Sequence, residues 1–187
     1  TSEKKRILLN NIYGVDLDPN AVEVTKLSLL IKCLEGETEA SIKQQLNLWN
    51  ERVLPTLDNN IKDGNSIIDI DFYSDQMDYG FEKKIKPFNW TKNFSEIFKN
   101  GGFDVVIGNP PYGFHQIHGL SEKEYFKKKY ASSQGSFENY FLFYERSLKL
   151  LSKDGLHSFI APVTWLTIPS ARSLRKFILD NYAITEI

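Results

Sequence analysis

The clearest pattern along the chain is a short apolar run that ends at a stiff polar segment. Residues 103–107 are apolar and partly β-branched and are flanked by glycines, which predicts a buried, interior parallel strand. The following Asn109-Pro110-Pro111-Tyr112 segment, here called the elbow, cannot continue that strand, because each proline has a fixed φ and lacks an N–H. The sequence therefore predicts an amide and a phenol at the carboxyl end of a strand, where open α/β sheets bind ligands.

A strand followed by a helix is predicted near the start of the chain. The stretch Ile12-Tyr13-Gly14-Val15-Asp16-Leu17-Asp18-Pro19 is predicted to be a strand that ends in a carboxylate, and Asp18 and Pro19 suit the cap and the first position of the next helix. That helix is predicted to extend to about residue 34. One apolar face of it is expected to carry Val22, Leu27, Leu30, Ile31 and Leu34.

Periodicity and turn residues predict the remaining elements. Helices are expected at residues 42–49, 137–151 and 170–181, with Ser170 as the cap of the last one. Strands are expected at residues 156–162 and 184–187, and residues 61–67 are expected to contain a strand end followed by a polar loop. Residues 114–134 carry the basic run Lys127, Lys128 and Lys129 and are expected to form a solvated loop. The alternation of strands and helices predicts an α/β fold.

Residues 69–100 form an acidic and then lysine-rich segment with many aromatic side chains. That many rings must pack against something, so we expect the segment to cover an edge of the sheet. A surface on which bases stack is the alternative. Trp90 and Phe94 are expected to lie near the elbow.

The chemistry that fits the elbow is methyl transfer to a planar exocyclic nitrogen. Such an amine is a poor nucleophile, because its lone pair is delocalised into the ring or carbonyl. The side-chain oxygen of Asn109 and the carbonyl of Pro110 can accept its N–H hydrogens and favour the pyramidal nitrogen that attacks a methyl sulfonium. Tyr112 offers a ring face on which a flat substrate can stack. An ordinary Asn-Pro turn is the simpler alternative.

The elbow resembles the catalytic motif of S-adenosylmethionine-dependent amino-methyltransferases, and asparagine at its first position is typical of N6-adenine DNA methyltransferases. The approach to it, residues 87–104, resembles that of type IIG restriction–modification proteins and related phage-defence methyltransferases. The resemblance implies a Rossmann-like, three-layer α/β sandwich, S-adenosyl-L-methionine as cofactor and a flipped adenine of double-stranded DNA as substrate. It also implies catalytic roles for Asn109, Pro110, Pro111 and Tyr112, with Gly113 and Phe114 against the substrate.

The same resemblance implies a cofactor site formed by Asp16, Leu17, Asn65 and Ser66. By position, Asp16 accepts hydrogen bonds from the ribose hydroxyls, which suits a carboxylate because it can accept both. Leu17 packs on the cofactor adenine, and Asn65, with Ser66 beside it, reads the adenine amino group. For Asp16 and for the 63–66 segment an ordinary turn remains the alternative.

Composition narrows this picture. The net charge of the 187 residues is −1, so the chain is less basic than a free-standing DNA-binding domain and is expected to borrow its grip on DNA from another part of the protein. Cys33 is the one cysteine, which excludes an internal disulfide and a cysteine-rich zinc site, and no metal is expected. No long apolar run or secretion signal is present, so a cytoplasmic location without membrane contact is the default expectation.

The family's first motif, a glycine-rich turn that holds the methionine end of the cofactor, does not precede Tyr13. We therefore expect residues 1–187 to be a partial methyltransferase domain that lacks its first, central strand and its C-terminal part, with an insertion at about 69–100. The missing N-terminal and C-terminal parts would be its partners, and the isolated chain would bind the cofactor poorly. Two alternatives stay open, a protein glutamine N5-methyltransferase, which uses the same elbow, and a non-catalytic piece of a restriction complex.

Overall fold

A computed structural model describes residues 2–38, 55–74, 85–113 and 119–186, and the chain divides into two compact units, residues 1–89 and 90–187. The first unit contains α1 (Ser2–Asn11), β1 (Gly14–Asp16), α2 (Pro19–Leu34), β2 (Ile61–Asp63) and a 3₁₀ turn (Ile70–Tyr73). The second contains α3 (Trp90–Asn93), α4 (Ser95–Lys99), β3 (Phe103–Gly108), α5 (Leu120–Lys129), α6 (Asn139–Lys149), β4 (Leu151–Phe159) and α7 (Arg172–Asn181), with 3₁₀ turns at Ala131–Ser133, Val163–Leu166 and Pro169–Ala171. The helix expected at residues 42–49 lies outside the described residues.

The first unit is built on a small parallel sheet of β1 and β2, in which Gly14 pairs with Ile61 and Asp16 with Asp63. α2 begins as predicted, because the side chain of its cap, Asp18, accepts a hydrogen bond from the backbone N–H of Asn20 at 2.9 Å. The core cluster of the unit consists of buried residues from α1, α2, β2 and the turn before β2: Leu8, Val22, Cys33, Leu57 and Ile61.

A buried asparagine joins α1 to the sheet. Asn60 is 3% exposed, and its side-chain N–H groups donate to the carbonyl oxygens of Leu8, Leu9 and Ile12 at 3.3, 2.8 and 3.0 Å. The last carbonyls of a helix have no partner within the helix, so these bonds satisfy groups that burial would otherwise leave unpaired. The backbone carbonyl of Asn60 then accepts from the N–H of Gly14 at 2.9 Å, which fixes the start of β1.

The apolar face predicted for α2 is only partly buried. Val22 is buried, but Leu27 and Ile31 are 59% and 57% exposed, so the prediction was wrong for these two residues. α2 carries apolar residues on more than one side, and periodicity alone does not say which side packs. The buried side is completed by residues in or against the core cluster: Leu29, Leu30 and Cys33.

The second unit contains a parallel sheet of β3 and β4, in which Val106 pairs with His157 and Gly108 with Phe159. Its helix α6 is a core element, as its run of aromatic residues predicts. The buried residues of α6 include Tyr140, Phe141, Leu142 and Leu148. At the start of the sheet the backbones approach closely, because a Cβ on Gly155 would lie 2.8 Å from the carbonyl oxygen of Phe103.

The prediction that residues 103–107 form a buried interior strand was wrong about burial. One face of the β3–β4 sheet packs against α6, while Val105 and Ile107 on the other face are 56% and 76% exposed. Leu156 and Ile160 on the β4 side of that face are also exposed. The described residues therefore give a mixed α/β structure with small parallel sheets, and the β3–β4 sheet has one covered face.

The aromatic side chains before β3 pack at its first residue and not at the elbow. The rings of Trp90, Phe94 and Phe98 lie 5.7 to 6.0 Å from that of Phe103. A strand rises about 3.3 Å per residue, so the elbow, which begins six residues after Phe103, is roughly 20 Å away along the strand. The prediction that Trp90 and Phe94 lie near the elbow was therefore wrong, because it took nearness in sequence for nearness to the end of the strand.

Four further predictions about helices and strands differ from the structure. β4 starts at Leu151, five residues early, because Gly155 is part of the strand and not a break before it. Ser170 lies in the 3₁₀ turn that precedes α7, so it is not the cap of that helix. Residues 120–129 form α5 where a loop was expected, and residues 182–186 form no strand. No helix within the described ranges combines the length and the apolar character needed to span a membrane.

Candidate active site

The first unit places four of the predicted site residues, Asp16, Leu17, Asn65 and Ser66, at the carboxyl ends of β1 and β2; they are here called the strand-end cluster. Asp16 accepts a hydrogen bond from the backbone N–H of Asp18 at 2.8 Å through one carboxylate oxygen. The other oxygen has no partner among the described residues. Leu17 is half exposed beside it. The cluster thus offers a free acceptor next to an accessible apolar side chain.

Asn65 is fixed by a turn of its own backbone. Its side-chain oxygen accepts from the N–H of Ile67 at 3.1 Å, and its carbonyl accepts from the N–H of Ile68 at 3.3 Å. An amide oxygen has two lone pairs, so one remains for a ligand. The turn alternative and the ligand alternative are therefore compatible at this position.

The two strand ends are connected directly and covered by the segment that follows residue 85. The N–H of Gly64 donates to the carbonyl of Asp16 at 2.8 Å. Phe88 is buried against Gly64 so closely that a Cβ there would lie 2.6 Å from its ring. Asn65 forms a parallel bridge with Pro87, and the N–H of Asn65 donates to the carbonyl of Lys86 at 2.7 Å.

The second unit places the elbow at the carboxyl end of β3. The hydroxyl of Tyr112 donates to the side-chain oxygen of Asn109 at 2.5 Å and to the carbonyl of Ile160 at 2.8 Å. One hydroxyl proton can serve only one acceptor at a time, so these are alternative positions of the same proton. Ile160 is held beside the elbow because its N–H donates to the carbonyl of Gly108 at 3.0 Å. The side chains of Asn109 and Tyr112 are exposed, and Pro110 is buried.

The Tyr112 ring is supported from below and open to solvent. Its edge meets the ring of Tyr140 at a centroid distance of 6.1 Å and an angle of 88°, and 46% of the residue is exposed. Tyr140 is fully buried, its hydroxyl has no hydrogen bond in the described part of the chain, and desolvation raises its pKa to about 12. The negative charge of Glu138 adds to that rise, and the side chain of Thr164 opposes it.

Gly113, the residue after the elbow, is joined to the start of α6 by a hydrogen bond. The carbonyl of Gly113 accepts a hydrogen bond from the N–H of Asn139, the first residue of α6, at 3.0 Å. Gly113 has a φ of 108°, a conformation that residues with a side chain rarely adopt, so glycine is required at this position. Phe114, expected against the substrate, lies outside the described residues.

A buried carboxylate fixes the turn between α5 and α6. Glu145 is fully buried and accepts from the N–H groups of Ala131 and Ser132 at 3.0 and 2.7 Å. The ammonium of Lys149 lies 2.6 Å from the same side chain. The charge is therefore compensated by three donors, as a buried carboxylate requires.

A neutral histidine joins α6 to β4. The ring of His157 lies 2.8 Å from the hydroxyl of Ser147 and packs against Tyr144 and Phe159. Desolvation lowers the pKa of His157 to about 4. The ring is therefore uncharged at neutral pH and supports packing.

The structure brings the sequence-predicted residues together in two groups. The strand-end cluster belongs to the first unit, and the elbow with Gly113 belongs to the second. The described residues contain no group of three His, Cys, Asp or Glu side chains that could hold a metal ion. Sequence reasoning missed the contacts of Lys86, Ile160 and Tyr140, because each contact joins segments that are distant in the sequence and depends on how the elements pack.

A family model described as Eco57I restriction-modification methylase matches residues 10–187. The Type II restriction enzyme and methyltransferase RM.Eco57I of Escherichia coli is 37% identical over 187 residues, which is 98% of this chain and 17% of that protein. The Type II methyltransferase M.TthHB8I of Thermus thermophilus is 37% identical over 83 residues, 41% of this chain and 19% of that protein. The Adenine-specific methyltransferase BrxX of Escherichia coli is 30% identical over 80 residues, 42% of this chain and 6% of that protein. The chain thus spans less than a fifth of the length of each of these relatives.

Proposed function

Because the chain belongs to the Eco57I restriction-modification methylase family, we propose that it carries the catalytic elbow of an enzyme that methylates N6 of a flipped adenine in DNA. One observation carries the proposal. The elbow presents an exposed amide oxygen and an exposed aromatic ring, joined by a hydrogen bond, at the carboxyl end of a parallel strand. An acceptor beside a stacking surface is what a flat ring with an exocyclic amine requires.

In this proposal each elbow residue has one role. The side-chain oxygen of Asn109 and the carbonyl of Pro110 accept the two N–H hydrogens of the target amine, and Tyr112 stacks on the base. Pro111 keeps the backbone stiff. Held in this way, the amine nitrogen would present its lone pair to the methyl group that S-adenosyl-L-methionine would supply, and the methylated amine would lose one proton to solvent. The residues contribute by alignment and by stabilising positive charge on nitrogen.

The Tyr112 hydroxyl allows Asn109 to change partners. Without substrate, the hydroxyl can occupy the side-chain oxygen of Asn109 at 2.5 Å. When the target amine donates to that oxygen, the hydroxyl can turn its proton to the carbonyl of Ile160 at 2.8 Å. No hydrogen bond of Tyr112 is lost in the exchange, so substrate binding does not leave an unpaired polar group.

The strand-end cluster is proposed as the cofactor half-site. S-adenosyl-L-methionine, when bound, supplies the methyl sulfonium. The free carboxylate oxygen of Asp16 suits the ribose hydroxyls, and the exposed side chain of Leu17 suits the face of the adenine. The remaining lone pair of Asn65, with Ser66 beside it, suits the adenine amino group.

We also propose that residues 1–187 are part of a larger Rossmann-like, three-layer domain, with an insertion at about 69–100 and one further strand at its centre. Two features support this. The described strands form two separate parallel pairs. Parallel sheets are normally covered on both faces, and the β3–β4 sheet has a bare face with Val105 and Ile107. DNA would be gripped by parts of the protein outside this chain.

The test uses the full-length gene product with methyl-labelled S-adenosylmethionine. Unmethylated genomic DNA and a translation release factor are offered in separate reactions. We expect label in N6-methyladenine, and we expect the substitution Asn109→Ala to abolish transfer while cofactor affinity changes less than about twofold.

Three other outcomes contradict the proposal. Label in the release factor would assign the protein to glutamine methylation. No label in either substrate would indicate a non-catalytic piece of a restriction complex. Near-normal turnover by the Asn109→Ala variant would remove the role assigned to the amide.

A further inference from the structure

We propose that Lys86 is a positioning residue of the cofactor half-site, one that fixes the spacing and the charge of the two strand ends. The inference rests on the proposed function. Lys86 has a φ of 48°, and it is the non-glycine residue with positive φ in the described part of the chain. A lysine has no intrinsic preference for this conformation, so the surrounding contacts must hold it there.

Those contacts reach both strand ends. The ammonium of Lys86 donates to the carbonyl of Leu17, just after β1, at 3.3 Å. It also lies 3.6 Å from a carboxylate oxygen of Asp63, the last residue of β2. The backbone carbonyl of Lys86 accepts from the N–H of Asn65 at 2.7 Å. One residue therefore binds the strand-end cluster through its side chain and its main chain.

The positive charge of Lys86 offsets negative charge at the paired strand ends. Asp16 and Asp63 are direct partners at the ends of β1 and β2. Like charges directly opposite each other on neighbouring strands are unfavourable. Lys86 compensates the carboxylate of Asp63, and Asp16 keeps a free oxygen for a ligand. Without Lys86, Asp16 and Asp63 would remain two negative residues paired in register at the strand ends, with the ammonium beside Asp63 removed.

The contacts of Lys86 also explain why residue 86 carries a long side chain although its φ is positive. A nucleoside bound across the strand ends contacts residues that follow both strands, so its affinity depends on the distance between the two loops. The Lys86 side chain is 30% exposed, and its ammonium contacts both loops, at the carbonyl of Leu17 and at the carboxylate of Asp63. Fixing both loops before the ligand arrives lowers the ordering cost of binding.

The experiment measures S-adenosylmethionine affinity by titration calorimetry on the full-length gene product. Lys86→Met keeps the aliphatic stem and removes the charge, and we expect about tenfold weaker binding. Lys86→Arg keeps the charge and should stay within about threefold of the original protein. The control is Lys32→Met, which removes a surface ion pair with Glu35 in the same unit and should leave affinity unchanged.

A second substitution tests the charge argument. Asp63→Asn combined with Lys86→Met removes both members of the ion pair and the repulsion on Asp16, so the double variant should bind more tightly than Lys86→Met alone. A denaturant midpoint is measured for every variant. If Lys86→Met unfolds, Lys86→Gly takes its place, since glycine adopts positive φ without strain and lacks the side-chain contacts.

The outcomes separate the inference from the function on which it rests. Failure of the original full-length protein to bind the cofactor would overturn the proposed function. Normal binding by the original protein and equally tight binding by the charge-free Lys86 variants would overturn the role of Lys86. Equal affinity of the single and double variants would overturn the charge argument.

Discussion

At the scale of single residues, the Tyr112 hydroxyl can be separated from the Tyr112 ring. Tyr112→Phe keeps the stacking surface and removes the hydroxyl that, in the proposed substrate-bound state, donates to the carbonyl of Ile160. We expect the rate of methyl transfer in a single turnover to fall by about tenfold, with little change in the KM for DNA, because the lost bond fixes the orientation of the ring on which the base stacks.

The matched control is Tyr140→Phe. It removes a hydroxyl that has no hydrogen bond in the described residues, from the ring against which Tyr112 packs. The unfolding midpoint of this variant should stay the same or rise, since a buried unpaired hydroxyl is removed. An unchanged single-turnover rate for Tyr112→Phe would contradict the orienting role.

His157 gives a prediction on pH. Its pKa is about 4 in the folded chain and about 6.5 when unfolded, so between these values the unfolded state binds more protons. The stability that His157 contributes is complete above about pH 6.5 and is lost as the pH falls toward 4. The substitution tested is His157→Gln, whose side chain can still bond to Ser147. We expect the decrease in unfolding free energy from pH 7 to pH 5 to be about 1 kcal/mol smaller in this variant than in the original chain.

Denaturant titrations at the two pH values measure this difference. Other groups titrate in the same window, and the comparison of variant with original chain removes their contribution. Equal losses in both proteins would mean that the ring is accessible to protons in the folded state.

Single residues were predictable where a motif fixes the chemistry. The elbow was located from its letters, and the cap role of Asp18 was confirmed. Lys86 could not be found in this way, because its position depends on the register of β1 with β2, which brings Asp16 opposite Asp63. The assignments of the elbow and of the strand-end cluster remain predictions.

At the scale of elements, the turn between α5 and α6 depends on one carboxylate. Glu145→Gln retains the size of the side chain and removes the charge that three donors share. We expect the free energy of unfolding to fall by about 2 kcal/mol, because charge-assisted bonds in a buried site are replaced by weaker ones. Chemical denaturation measures the change.

The control for this substitution is Glu96→Gln. Glu96 pairs with Lys99 on the surface of α4, where both side chains are mostly exposed. Its removal should give no measurable change in stability. Equal effects of the two substitutions would show that the turn does not depend on the buried charge.

Elements were predicted well in type and less well in extent. The parallel pairing of β3 with β4 agrees with the prediction of a parallel strand, and α6 is buried as its aromatic run indicated. The burial of β3 was mispredicted. An apolar pattern shows that a sheet face is suited to burial, but it does not show that another element covers that face. The bounds of β4 were missed for a related reason, since Gly155 serves close packing against Phe103 and does not end the strand.

At the scale of the whole molecule, cofactor affinity should depend on parts of the protein beyond these 187 residues. The isolated chain offers the strand-end cluster and, in the proposed function, lacks the glycine-rich turn that would hold the methionine end. We expect calorimetric titration of the isolated chain to give weak or no binding of S-adenosylmethionine, and the full-length product to bind it. Tight stoichiometric binding by the isolated chain would contradict the proposal of a partial domain.

The buried thiol of Cys33 can report on local opening of the first unit. It is the sole thiol, and 4% of it is exposed in the core of the first unit. A thiol reagent reaches such a side chain only when the surrounding structure opens, so the rate of its modification measures that opening. Any cysteine introduced on an exposed surface would react first and could carry a fluorophore. The slower modification of Cys33 would then still measure the rate of local unfolding.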